Sequence, residues 1–123
     1  MLFRSADAAR AGDRDVHLLS NIQQVGNVQI NAFQRAADVV MQKSLREGFG
    51  LTVSEALWKG RPVIGGRCGG ITLQISDGVD GYLVDDVATA AERTAELLAD
   101  PDRADAFGAA GCEHVRQIGR AHV

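Results

Sequence analysis

Cysteine is scarce: Cys68 and Cys112 are too few for a disulfide framework and stand at no metal-ligand spacing. No run of apolar residues approaches the ~20 needed to cross a bilayer, and the N-terminus lacks the long apolar core of a signal peptide. Basic runs are missing as well. Against 13 Lys+Arg stand 16 Asp+Glu, a net charge of −3, which argues against a module that gains affinity by releasing counterions from nucleic-acid phosphates. There is no internal repeat and no low-complexity segment. From these absences we expect a reduced, cytoplasmic compartment, with no membrane span and no nucleic-acid partner. What is present is an ordinary globular balance, 46% apolar and 24% charged over 123 residues. That length is roughly 0.8 of a typical ~150-residue domain, so the chain is one domain or a piece of one.

The two ends read as foreign. Leu2-Phe3-Arg4-Ser5 and Gln117 to Val123 both back-translate into strings that resemble a common short-read sequencing adapter, in the expected orientation at each end. We therefore expect residues 1–5 and 117–123 to be adapter-derived tails and set them aside from fold reasoning. Without Arg4 and Arg120 the charge falls from −3 to −5.

Between the tails, short apolar runs alternate with helical periodicity. Asp15 to Leu19 reads as a buried strand, Val28 to Ala37 as a helix, and Val39-Val40-Met41 as the next buried strand. Thr52 to Lys59 predicts a helix with Thr52 and Glu55 at capping-box spacing, Gly60 as its left-handed C-terminal residue and Pro62 as a block to its continuation. Pro62 to Ile64 is a third strand. A glycine-bearing loop over Gly65–Gly70, a turn of helix from Thr72 to Ile75, tight turns at Asp77-Gly78 and Asp80-Gly81, and a strand at Tyr82–Val84 follow. Val87 to Ala99 is an amphipathic helix ended by Asp100-Pro101. Asp102 to Val115 is another, with Ala104, Phe107, Ala110 and Cys112 or Val115 as its buried stripe. Strands alternating with helices predict an α/β, Rossmann-like parallel sheet covered by helices on both faces.

In open parallel sheets, ligands bind beyond the carboxyl ends of the strands. Residues 44–51 leave such an end and run into a helix. Gly48 and Gly50 let the backbone approach a ligand, and the helix start offers free N–H groups, which together suit a diphosphate. Glu47 and Glu55 flank that loop. On one continuous helix eight steps would part them by ~12 Å along the axis, but a loop followed by a helix can fold Glu47 back over the helix start. One carboxylate then lies on each side of the phosphate site, a geometry for a nucleotide-sugar. Lys43 and Arg46 are either solvated charges or, from their place beside this site, ion-pair partners of the diphosphate. Simpler roles are open beside these: Glu55 as the capping-box partner of Thr52, and the glycines as parts of a tight turn. The cluster GGRCGG lacks the order of a dinucleotide fingerprint. His17 and His114 read as packing or surface residues, and Trp58 and Phe49 as core anchors.

The segment Ser44-Leu-Arg-Glu47-Gly-Phe-Gly50-Leu-Thr-Val-Ser-Glu55 resembles the E-x7-E segment of retaining GT-B glycosyltransferases of the glycogen-synthase-like family four. Gly69-Gly70-Ile71 followed by Asp77-Gly78-Val-Asp-Gly81-Tyr-Leu-Val84 is similar to the next motif of that family. The resemblance makes residues 6–116 part of the C-terminal, nucleotide-sugar-binding half of a truncated GT-B fold. Residues 28–44, 56–60 and 70–75 resemble a narrower group, the trehalose glycosyltransferring synthases. Thr72-Leu73 stand where many family members carry Pro-Glu, so no role for that glutamate is carried over. The resemblance implies transfer of glucose from a nucleoside-diphosphate-glucose to a small sugar acceptor, glucose, to form trehalose. The alternatives are a family-four transferase for another sugar or acceptor, and a non-catalytic nucleotide-binding module. By the same resemblance Glu47 is the catalytic carboxylate at the donor sugar, and Glu55 binds the ribose hydroxyls. Lys43, Arg46, Gly48, Phe49, Gly50, Leu51 and Thr52 complete the donor-binding set. No cofactor and no metal are implied, the acceptor-binding N-terminal domain is missing, and the isolated piece is expected to be inactive.

Overall fold

The computed structural model describes residues 12–19, 26–42 and 51–121. Contacts divide the chain into Met1–Ala32 and Phe33–Val123. In the first unit, residues 16–19 carry no regular structure, and Leu18, Leu19 and His17 are exposed. The strand expected over Asp15–Leu19 is therefore not formed. The run is apolar, but no ladder pairs it among the described residues, and a strand needs a partner more than it needs β-branched residues. Helix α1, Asn27–Ala36, forms where its periodicity predicts, and its last residues, from Phe33 on, belong to the second unit. Its apolar Val28 and Phe33 are exposed, and its buried residue is the polar Gln34.

In the second unit the strands β1 (Val40–Gln42), β2 (Val63–Gly66) and β3 (Tyr82–Val84) form a parallel sheet in that order. Val40 pairs with Val63, and Ile64 with Tyr82. Successive side chains alternate between faces, and each face has its own core. Val63 and Leu83 pack with Val53, Ala56 and Leu57 of α2 (Leu51–Trp58) and with Ile71 and Ile75, at the start of α3 (Ile71–Gln74) and just past its end. Ile64, Tyr82 and Val84 pack on the other side with Ala90 and Leu97 of α4 (Val87–Ala99) and Phe107 of α5 (Pro101–Ala121). Both faces of β2 and β3 are covered, which is why these strands read as unbroken apolar runs. β1, expected to be buried over Val39-Val40-Met41, is only half-buried. Met41 is exposed because β1 lies at one side of the three-strand sheet, with β2 as its single partner among the described residues.

The helix ends follow local chemistry. Gly60 N donates to Leu57 O and Arg61 N to Ala56 O, a Schellman closure of α2 with Gly60 at φ 74°. Leu51 is already helical, so Thr52 lies inside the first turn and is not the N-cap. Asp86 caps α4 by accepting from Thr89 N at 2.7 Å. The expected break at Asp100-Pro101 is a joint: Asp100 ends α4, and its Oδ1 accepts from Arg103 N at 3.1 Å. Pro101 then opens α5 at the first helical position, where its missing N–H costs nothing. The helix continues through residues 117–121. Gly65 and Gly66, expected in a loop, belong to β2.

Tyr82 crosses the second core, and its hydroxyl donates to Glu96 Oε1 at 2.6 Å, while Arg93 donates to Oε2 and packs over the Tyr82 ring, 4.5 Å from its centroid. The Tyr82 hydrogen bond is the largest cause holding the Glu96 carboxyl below its ordinary value, with Arg93 adding to it. Burial, and then Glu96, push the Tyr82 phenol up. A depressed carboxylate stabilises the fold above its unfolded value and loses that contribution as pH falls toward the folded one; a raised phenol does so below its unfolded value and loses it as pH rises. Denaturant midpoints followed against pH are thus expected to drop below the ordinary carboxylate range and again above the ordinary phenol range. Glu96→Gln should flatten the acid limb; an unchanged limb would separate this network from acid unfolding.

Candidate functional site

The carboxyl ends of the strands lead into residues 43–50, into Arg67–Gly70 and into Asp85-Asp86. Of the residues expected to form the site, Lys43, Arg46, Glu47, Gly48, Phe49 and Gly50 lie outside the described residues. Leu51 and Thr52 are present as the helical backbone that opens α2. Glu55 stands one turn further, about 6 Å along the axis from the helix start, on an exposed face.

The sequence of α2 dictates this presentation. Val53, Ala56 and Leu57 are fully buried against the sheet, so the helical period turns Ser54, Glu55 and Trp58 away from it. Ser54 Oγ donates to Gln74 Oε1. Gln74 Nε2 in turn donates to Gly70 O at 3.3 Å, and Thr72 Oγ1 donates to Gly69 O at 2.7 Å. The loop after β2 is thereby tied to α2 by side chains. Trp58, read from the sequence as a core anchor, is exposed, with the Arg116 guanidinium 5.9 Å from its ring centroid; Leu57 takes the core position instead.

On its other flank Glu55 meets α1. Gln34 Nε2 donates to Glu55 Oε2 at 3.3 Å, and Gln34 Oε1 accepts from Lys59 Nζ. Neither Gln34 nor Lys59 was marked as a site residue by the sequence reading. At the loop after β2, Arg67 bridges Asp85 (Nε to Oδ1, 3.3 Å) and Asp77 (Nη2 to Oδ2, 3.5 Å). Asp77 Oδ1 accepts from Leu83 N at 3.0 Å, covering the free edge of β3. Gly65–Gly70 is thus a strand end and a braced turn, not a dinucleotide cradle. No group of three or more His, Cys, Asp or Glu able to hold a metal occurs among the described residues, and among them no helix is long and apolar enough to cross a membrane.

A parallel sheet with helices on both faces and a helix that starts at its carboxyl edge define an α/β domain. Its solved neighbours are GT-B glycosyltransferases. The model of the family described as glycosyl transferases group 1 matches residues 13–114, and the chain belongs to that family. It is 56% identical over 105 residues to the trehalose synthase of Rubrobacter xylanophilus, covering 85% of this chain and 25% of that protein. The chain thus spans about a quarter of the length of the curated relatives it matches. The sucrose-phosphate synthase of Thermosynechococcus elongatus superposes with a TM-score of 0.66 at 31% identity, over 73% of this chain and 26% of that one. Anabaena HepE in complex with UDP-glucose superposes with a TM-score of 0.69 at 21% identity, over 89% of this chain and 30% of that one.

Proposed function

We propose that this glycosyltransferase domain is the donor-binding half of a retaining family-four enzyme that transfers glucose from a nucleoside-diphosphate-glucose to glucose, forming trehalose. The observation that carries the reading is Glu55: an exposed carboxylate one turn into the helix that starts at the sheet's carboxyl edge, held from behind by a buried amide. The similarity to a trehalose synthase supports the choice of acceptor. In this reading residues 6–116 form the domain, and the flanking residues 1–5 and 117–123 are tails.

The chemistry follows from charge. As the nucleoside diphosphate departs, positive charge grows at the anomeric carbon and negative charge on the leaving phosphate. Backbone N–H groups of Gly48, Phe49, Gly50, Leu51 and Thr52, with Lys43 and Arg46, receive the phosphate and lower that barrier. Glu47 contacts the donor sugar and steadies the oxocarbenium-like centre. Glu55 accepts from the ribose hydroxyls. No metal and no cofactor takes part, and the acceptor is held by a further domain. The reaction belongs in the reducing cytoplasm, where Cys68 and Cys112, neither in a disulfide, stay reduced.

Calorimetric titration of the 123-residue chain with UDP, ADP and GDP tests this. At least one should bind, and Glu55→Ala should weaken it by roughly 10- to 100-fold, the loss of a charge-assisted hydrogen-bond pair. Equal affinity in the two proteins would remove Glu55 from the site and the assignment with it.

A further inference from the structure

A buried primary amide is costly unless both its ends are bonded. Gln34 is 7% exposed and both ends of its side chain are engaged, at Glu55 through Nε2 and at Lys59 through Oε1. Glu55 and Lys59 stand four residues apart in α2 and the turn after it, the spacing at which a glutamate and a lysine ordinarily pair directly. Here the amide of Gln34 stands between them. The difference matters for a carboxylate that has a ligand to bind. A direct ion pair would draw Glu55 toward the C-terminal end of α2, away from the sheet's carboxyl edge, and would spend its charge on lysine. A neutral amide donor holds one oxygen, Oε2, and leaves the charge in place.

Lysine also settles which way the amide faces. An ammonium can only donate, so it selects the oxygen of Gln34 and turns the NH2 toward Glu55. With Lys59 removed, Oε1 loses its donor, the amide is held at one end only, and its hydrogen bond to Glu55 loosens.

We infer that Gln34 is a positioning residue for nucleotide recognition, and that Lys59 sets its orientation: together they fix Glu55 for the ribose hydroxyls without touching the ligand. The inference rests on the reading of Glu55 as the ribose-binding group. Its readout is the preference for a ribonucleotide over its 2′,3′-dideoxy counterpart, because a merely structural role would lower both affinities alike. UDP, ADP and GDP, each beside its dideoxy form, are titrated into the chain and its variants. Gln34→Met, apolar and of similar length, is expected to reduce the preference by roughly 3- to 10-fold, the range of one positioned hydrogen bond, while the dideoxy affinity holds. Lys59→Met should lower the preference in the same direction and Lys59→Arg should restore it. Lys59 is only half-buried, so these two variants decide the matter if Gln34→Met does not fold. If Glu55→Ala abolishes the preference while Gln34→Met and Lys59→Met keep it, the positioning role is overturned and the ribose reading stands. If Gln34→Met weakens ribo and dideoxy forms equally, the role is structural and the inference is again overturned. If Glu55→Ala itself leaves the preference intact, or no nucleotide binds, the reading of Glu55 falls and carries this inference with it.

Discussion

Gly108→Ala should destabilise the chain by about 3 kcal/mol, although alanine is the better helix former. A Cβ at Gly108 would stand 2.0 Å from the carbonyl oxygen of Gly60 and 2.8 Å from its carbon. Those atoms are backbone, and they have nowhere to go. Gly60 is locked at φ 74° by the two hydrogen bonds that close α2, so α5 must be pushed off α2 to make room. Forcing a methyl into a closed contact costs about 1–3 kcal/mol and more where the neighbour cannot yield, which outweighs the ~1 kcal/mol that alanine gains over glycine within a helix. Gly119→Ala on the same helix meets nothing within 4 Å and is expected to stabilise by about 0.5–1 kcal/mol. Denaturant midpoints of the two variants should therefore move in opposite directions. A stabilised Gly108→Ala would mean that α2 and α5 are not in contact at Gly60. The consequence reaches the site, because α2 is the helix that presents Glu55.

Elements whose cause is local were readable from the sequence. Tyr82–Val84 and Val87–Ala99 form at the residues expected, the first because a strand buried on both faces is simply apolar, the second because Asp86 and the Asp100-Pro101 joint mark its ends. Gly60 closes α2 for the same kind of reason. What escaped depends on contacts made far along the chain. Residues 16–19 have a strand's composition but no ladder partner among the described residues. Gly108 and Gly111 carry no sequence signal of their contacts: Gly111 faces Leu57 and Gly108 faces Gly60, more than forty positions earlier. Gln34 is polar in a helix judged by its apolar positions, so its burial against Glu55, 21 residues on, had no periodic signal. Trp58 reads as a core anchor, but the helical phase set by Val53, Ala56 and Leu57 points it outward. Of the candidate site, Glu55 and the backbone of Leu51 and Thr52 belong to α2, and the glycine loop with Glu47 lies outside the described residues.

Removing the carboxylate of Asp80 is the second substitution expected to cost the fold dearly. Asp80 is 3% exposed and uses both oxygens: Oδ1 accepts from Ser76 N and Oδ2 lies against His114 Nδ1, each at 2.7 Å. An ionised carboxylate only accepts, so the imidazole carries its proton on Nδ1. The pair ties the turn before β3 to α5, two segments 34 residues apart. Asp80→Ala removes the acceptor of the Ser76 N–H and the partner of the imidazole together. Ser76 is exposed and His114 half-buried, so water recovers part of each bond and the expected loss is about 2 kcal/mol. Asp80→Asn should cost much less, about 1 kcal/mol, because its amide oxygen still serves Ser76 and its NH2 can meet the other tautomer of His114. His114→Ala leaves Ser76 satisfied and should fall between the two. Denaturant midpoints should therefore rank Asp80→Ala as the most damaging, His114→Ala next and Asp80→Asn as the mildest, an order that follows from counting stranded groups. If Asp80→Ala and Asp80→Asn were equally mild, the turn would be held by the packing of Ile75 and Gly81 against β2, and the buried pair would be a bystander to it.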